Sequence, residues 1–209
     1  MRIPHVCERC GYPWYSNAET APKKCPSCYT PYWNIPRGQL KRGRPKKVSV
    51  HHTSKTNEWY TPDEVITYVK YLYETIDLDP CTNSKTNPNV KATAYFDIFD
   101  NGLEKDWFGS VYVNPPYGRE IGKWVDKCLH EYASNHVEEI LLLAPARVDT
   151  KWFAKIAGFH WCSISGRLKF KSSSGERNPA PFPSAMIYIG YRPEEFDIVF
   201  CDLGRIYKP

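Results

Sequence analysis

The stretch Val111-Tyr112-Val113-Asn114-Pro115-Pro116-Tyr117-Gly118 decides how the chain is read. Three residues of high strand propensity run straight into Asn-Pro-Pro-Tyr, where two prolines stop further strand pairing. An amide, a rigid corner and an aromatic ring are thereby presented together at a strand end, the place where open α/β sheets bind ligands. Pro-Pro alone would mark only a turn. With Asn114 before it and Tyr117-Gly118 after it, the corner is a candidate site.

Working outward, strands and helices alternate. Upstream, Thr61 is placed as a helix N-cap, with Pro62 at N1 and Glu64 at N3 in capping-box spacing. Val65, Ile66, Val69, Leu72 and Tyr73 follow at helical spacing and should face a core. Thr75 to Asp79 reads as a short strand ending on a carboxylate, followed by Pro80-Cys81 and a polar loop over 83–93. Tyr95 to Phe99 reads as a short strand and Asp100-Asn101-Gly102 as a turn. Downstream, Ile121 to Tyr132 is an amphipathic helix and Glu139 to Ala144 a buried strand. Asp149-Thr150 caps a helix through Trp152, Phe153 and Ile156, and Phe159 to Ile164 is the next strand. Gly166 to Phe170 and Ala185 to Ile189 read as a hairpin, and Phe196 to Phe200 as a last strand. This order predicts an α/β sheet, largely parallel with an antiparallel edge.

The first 36 residues form a different unit. Cys7-Glu8-Arg9-Cys10 and Cys25-Pro26-Ser27-Cys28 are two Cys-x-x-Cys knuckles separated by fourteen residues. Such a pair sets four thiolates at the corners of a tetrahedron, the arrangement of a structural zinc site with no open position for water. A segment this short buries too little to fold unaided, so metal binding supplies its folding energy. The expected form is a zinc ribbon over 1–36.

A basic linker over 37–57 follows, and the remaining domain spans 58–209. Residues 37–47 carry six Lys or Arg and no acid, although the net charge of the chain is only +5. Arg42-Gly43-Arg44-Pro45-Lys46 at its centre resembles an AT-hook. Glycine lets the backbone approach the floor of the minor groove, proline keeps the chain extended, and arginines enter the negative groove. No apolar run approaches the roughly 20 residues of a membrane span, and Met1-Arg2-Ile3-Pro4-His5 lacks the apolar core of a leader. The expected compartment is the cytoplasm, where paired cysteines serve metals rather than disulfides.

The ordered set Trp59-x-Thr61-Pro62, Leu78-Asp79-Pro80-Cys81, Gly102-Leu103 with Trp107, Asn114-Pro115-Pro116-Tyr117-Gly118, Leu142-x-x-Pro145 and Gly166-Arg167-Leu168-x-Phe170 resembles the phage-type DNA adenine-N6 methyltransferases. The resemblance covers nearly all of 58–190. It implies a Rossmann-like sheet with helices on both faces, S-adenosylmethionine as methyl donor and adenine in double-stranded DNA as acceptor. It also implies that Trp59, Thr61, Pro62, Asp79, Pro80 and Cys81 hold the donor, with Asp97 or Asp100 at its adenosine. The flipped adenine would lie at Asn114, Pro115, Pro116 and Tyr117. The Gly-x-Gly loop of many other methyltransferases is absent; Asp79-Pro80-Cys81 stands in its place. DNA contact is expected from the hook and from Lys171 and Arg177 in the polar connection near the C-terminus.

The chemistry fits those residue types. The adenine N6 lone pair is delocalised into the ring, and the Asn114 amide oxygen and Pro115 carbonyl would accept its two protons. A ring at 117 would stack on the extruded base and offset an unstacking cost of a few kcal/mol. Three alternatives remain at this stage. Pro80-Cys81 mimics the nucleophile of C5-cytosine transfer, N4-cytosine is also an exocyclic amine, and the chain could be a non-catalytic DNA binder.

Overall fold

The computed structural model describes residues 2–17, 22–31, 33–36, 59–171 and 177–209. The chain divides into two compact units, Met1–His51 and His52–Pro209.

In the first unit, β1 (Ile3–Val6) and β2 (Pro13–Ser16) pair antiparallel. The first cysteine knuckle is the loop between them. Both knuckles share one backbone pattern: Gly11 N–H donates to the Cys7 carbonyl at 2.8 Å, and Tyr29 N–H to the Cys25 carbonyl at 2.9 Å. The fourth residue after each leading cysteine takes a left-handed conformation, Gly11 at φ 73° and Tyr29 at φ 57°. Glycine adopts this freely, whereas a side chain strains it. His5, Trp14 and Trp33 pack ring against ring at centroid distances of 5.0–5.3 Å, and the Trp33 indole donates to the Pro22 carbonyl. Trp33 and Trp14, with Cys7 and Cys25, are the whole apolar core of the unit among the described residues.

The second unit begins with α1 (Asp63–Leu72), followed by β3 (Leu78–Asp79), β4 (Ala94–Tyr95) and β5 (Gly109–Val113). Then come α2 (Ile121–Ala133), β6 (Val137–Pro145), the short α3 (Lys151–Ala154) and β7 (His160–Ile164). The chain ends with β8 (Lys169–Lys171), β9 (Arg177–Pro179), β10 (Ser184–Ile189), α4 (Pro193–Phe200) and β11 (Gly204–Tyr207). Seven strands form one mixed sheet in the order β11-β7-β10-β6-β5-β3-β4. Parallel pairing joins β4, β3, β5 and β6; β10 is antiparallel to both β6 and β7, and β11 to β7. The strand direction therefore reverses inside the sheet, at β10, as well as at the β11 edge.

Period-two alternation sends side chains to two cores. Tyr112, Leu141, Leu143, Met186 and Tyr188 pack with Val65, Val69 and Leu72 of α1 and with Phe196 and Phe200 of α4. Val111, Val113, Ile140, Leu142, Ala185 and Ile187 pack with Ile121, Trp124, Val125 and Cys128 of α2 and with Phe153 of α3. Helices thus cover both faces of the sheet. The inward Glu139 is satisfied by Arg192, by the Tyr188 hydroxyl at 2.6 Å and by the Ser110 hydroxyl at 3.3 Å, which ties β5, β6 and β10 together.

Four local expectations are corrected. Tyr95–Phe99 is not a strand: pairing stops at Tyr95, and the Asp97 carboxylate takes the Phe99 N–H to turn the chain. Phe196–Phe200 is helical: Pro193 stands in the first turn with Glu194 and Glu195, which suit the helix dipole, and Phe196 and Phe200 repeat at i, i+4. The predicted hairpin does not form. Lys169–Lys171 pairs with Arg177–Pro179 in a separate ribbon, while Ser184–Ile189, buried at every residue, inserts between β6 and β7. Thr61 is not the N-cap of α1. Pro62 holds that position without a side-chain cap, and the Thr61 hydroxyl turns inward to other partners.

Candidate active site

The parallel strands β3 and β5 are neighbours, and the chain leaves β3 toward β4 on one side and lies against β5 on the other. At such a switch in strand order the C-terminal ends of adjacent strands diverge and leave a crevice. Asp79 ends β3 and Asn114 follows β5, so the topology alone sets these two residues at its mouth. A cleft occurs there. Its cavity of about 170 Å³, several times what one water needs, is lined by Trp59, Thr61, Asp79, Pro80, Cys81 and Asp97, and by Asn114, Pro115 and Pro116. Those nine residues were expected at the site from sequence. Three others, Pro62, Asp100 and Tyr117, do not line the cavity.

Asn114 is held by its amino group. Its Nδ2 donates to the Trp59 carbonyl and to the Thr61 hydroxyl at 3.1 Å. Because a peptide carbonyl only accepts, the amide orientation follows: nitrogen toward Trp59, oxygen away. That oxygen is buried and has no hydrogen-bond partner among the described residues. An orphaned buried acceptor costs about 1–3 kcal/mol and is retained only for a reason. A ligand amine is the kind of group that would satisfy it.

Asp79 is 5% exposed and accepts from the Cys81 N–H at 3.1 Å. Burial pushes its carboxyl up to about 7, against the pull of the Cys81 and Thr82 hydrogen bonds. A carboxylate so short of solvent is prepared for a cationic partner. Burial and the neighbouring Asp79 charge drive the Cys81 thiol well above its ordinary range. Cys81 therefore stays protonated near neutral pH and is a poor nucleophile, which weighs against the C5-cytosine mechanism.

The two acidic candidates near β4 are placed differently. Asp97 lines the cleft, and its Oδ1 accepts from the Phe99 N–H at 2.9 Å. Asp100 pairs with Lys85 at 2.5 Å and accepts from the Asp97 N–H at 2.8 Å, so it braces the turn. The Lys85 ammonium and the Asp97 N–H hold its carboxyl below the usual range. This turn lies against the Asp79-Pro80-Cys81 segment through Gly102: a Cβ there would come within 2.0 Å of the Pro80 carbonyl oxygen. The buried Trp107 secures it by donating to the Gly102 carbonyl at 2.8 Å.

Tyr117 belongs to an aromatic group beside the cleft. Its ring lies 6.3 Å from Trp59 in a stacked orientation and 5.5–6.0 Å from Phe170 and Phe182 edge-on, with its hydroxyl 3.4 Å from the Leu143 carbonyl. Burial pushes the pKa of that hydroxyl well above its ordinary value, so it stays neutral.

Sequence reasoning missed several lining residues. Tyr112, read only as a strand residue, sends its hydroxyl to Thr61 at 2.9 Å. Asn89 and Val90, from the 83–93 loop, line the cleft, and Asn89 Nδ2 donates to the Thr61 carbonyl at 3.1 Å. Nothing in that Asn-rich loop distinguishes Asn89 from its neighbours without the fold.

In the N-terminal unit the four sulfurs of Cys7, Cys10, Cys25 and Cys28 lie within 4.8 Å of one another. The Cys7–Cys28 and Cys10–Cys25 separations are both 3.8 Å. Ligands 2.3 Å from a tetrahedral zinc would stand about 3.8 Å apart, so the donor set fits that ion. Backbone N–H groups of Arg9 and Ser27 point to the Cys7 and Cys25 sulfurs at 3.4 Å, the outer-shell support thiolates need. The hook residues Arg42, Gly43, Arg44, Pro45 and Lys46 lie outside the described residues. Lys171 and Arg177 are cross-strand partners in the β8–β9 ribbon.

The family model for DNA N-6-adenine-methyltransferase (Dam) matches residues 49–198, more than half of the chain. The chain belongs to the Dam family. The matched Dam region contains the whole cleft and stops short of the cysteine knuckles. A DNA N-6-adenine-methyltransferase of Escherichia phage T1 is 32% identical over 100 residues, covering 46% of this chain and 39% of that relative. The chain thus aligns with well under half of the length of that curated Dam relative. No described helix is long and apolar enough to cross a membrane.

Proposed function

We propose that the protein is an adenine-specific DNA methyltransferase that transfers a methyl group from S-adenosylmethionine to N6 of a flipped adenine in double-stranded DNA. The observation that carries this reading is the orphaned Asn114 oxygen at the end of β5, in one cleft with the buried Asp79 carboxyl. Dam-family membership and the likeness to the phage enzyme support it. The sheet order, with a reversed strand between two strands of the common direction, supports a Rossmann-like methyltransferase sheet.

In this account Asp79, with the Pro80-Cys81 turn and Trp59, holds the methyl donor, and Asp97 faces its adenosine; Thr61, fully buried, is engaged by Asn114 and Tyr112 instead. S-adenosylmethionine, when bound, supplies an electrophilic methyl on a sulfonium. The chain contributes alignment. Asn114 Oδ1 and the Pro115 carbonyl accept from the N6 amino group, which favours a pyramidal nitrogen with its lone pair toward the donor. As the N–C bond forms and the S–C bond breaks, the amine becomes cationic and then loses one proton to solvent; no base is needed beforehand. Holding two reactants in line is the largest gain such a site provides. Tyr117, within its aromatic group, stacks on the extruded base.

The N-terminal cysteines hold a structural zinc, and the 37–47 run, with Lys171 and Arg177 of the ribbon, contacts DNA. The test is transfer of labelled methyl from S-adenosylmethionine to DNA. The wild type should label DNA and Asn114→Ala should lose at least two orders of magnitude. Absence of donor binding by calorimetry would instead leave a DNA-binding protein on a methyltransferase scaffold.

A further inference from the structure

The Thr61 side chain is the best-buried polar group at the cleft, fully excluded from solvent, yet it caps nothing. Its hydroxyl takes an N–H from Asn114 at 3.1 Å and lies 2.9 Å from the Tyr112 hydroxyl. Its backbone carbonyl accepts from Asn89 at 3.1 Å, so the residue is pinned from a second side. The Trp59 carbonyl, two residues earlier, accepts the other Asn114 proton. Both N–H bonds of the Asn114 amide are thus consumed by one three-residue segment.

We propose that Thr61, supported by Tyr112, is a positioning residue that fixes the rotation of the Asn114 amide and so aims its oxygen at the substrate amine. This rests on the adenine-N6 reading for its consequence, though not for its geometry. With the Thr61 acceptor removed, only the Trp59 carbonyl holds the amide, and the broad χ2 torsion of Asn114 lets its oxygen drift from the substrate amine. The Asn114 N–H donates to Thr61 Oγ1, and the Thr61 and Tyr112 hydroxyls share a second hydrogen bond that either can donate, so Tyr112 holds the Thr61 oxygen in place. The clamp also requires an amide rather than a carboxylate at 114. In Asn114→Asp an anionic oxygen would face the Trp59 carbonyl, so this near-isosteric change should be as damaging as Asn114→Ala.

Thr61→Val keeps the volume and removes the acceptor. Expected is a fall in kcat of roughly ten- to a hundredfold, with donor affinity by calorimetry within about twofold of wild type, and with Thr61→Ser recovering most of the loss. The second readout needs no turnover. In ¹⁵N-labelled protein the Asn114 side-chain amide protons should exchange slowly with solvent, and Thr61→Val should speed the exchange at least tenfold. Slow exchange that is unaffected by Thr61→Val overturns the clamp. So does a kcat loss matched by an equal loss of donor affinity, which would make Thr61 a donor ligand. If the protected amide and its response to Thr61→Val are found but adenine is never methylated, the clamp stands and the proposed activity fails.

Discussion

A buried carboxyl that titrates near neutrality has consequences of definite sign. With Asp79 raised from 3.8 to about 7 by burial, the folded chain retains a proton that the unfolded chain has released between about pH 4 and 7. Stability of the ligand-free protein should therefore fall as pH rises through that window. At about 1.4 kcal/mol per unit, the loss is on the order of 4 kcal/mol. Donor binding should run the other way, tightening as pH rises through 7, because the carboxylate form meets the ligand's ammonium. Asp79→Asn should raise the melting temperature at pH 8, flatten its pH dependence between 4 and 7, and weaken donor binding at least tenfold. Thermal melts and calorimetry across that range check both signs. Tyr117 is tested separately. Tyr117→Ala should cut kcat/KM by about ten- to a hundredfold, the value of one lost base stack, and lower 2-aminopurine fluorescence at the target position; Tyr117→Phe should recover most of both.

At the level of elements, the motifs explain one another once the strands are placed. Gly102 is required because the turn after β4 lies against the Pro80 carbonyl, with no room for a methyl. Gly102→Ala should destabilise the second unit by roughly 1–3 kcal/mol and weaken donor binding, seen together in a denaturant melt and a titration. Strands β5, β6 and β7 and helices α1 and α2 were legible, because their apolar periods are strong. Phe196-Asp197-Ile198-Val199-Phe200 misled because its β-branched residues imitate a strand, although Ile198 is 73% exposed and only the two phenylalanines are fully buried, with Val199 at the edge of the core. The hairpin was misjudged because sequence adjacency suggested pairing between Lys169–Phe170 and Ala185–Ile189. A continuous apolar run such as Ala185–Ile189 belongs inside a sheet, between two buried neighbours. At the site, Asn114, Asp79 and Trp59 were legible by residue type and order. The clamp through Thr61 and Tyr112 was not, since it joins residues 51 positions apart through a cleft that only the folded sheet creates.

The whole molecule combines two units with different sources of stability. The N-terminal unit has a core of two tryptophans and two cysteines, too little to fold on apolar burial alone. Elemental analysis should find one zinc per chain. A strong chelator, or Cys25→Ser, should abolish the near-ultraviolet signal of Trp14 and Trp33 while the second unit's melting transition stays in place. Removing residues 1–57 should leave donor binding intact, weaken DNA binding, and flatten the dependence of log affinity on log salt, because each lost phosphate contact lowers that slope by about one. The central claim concerns the base. The most direct measurement is nucleoside analysis by mass spectrometry of DNA incubated with the full-length protein and S-adenosylmethionine. The account predicts N6-methyldeoxyadenosine, absent with Asn114→Ala; N4- or C5-methyldeoxycytidine in its place would contradict it.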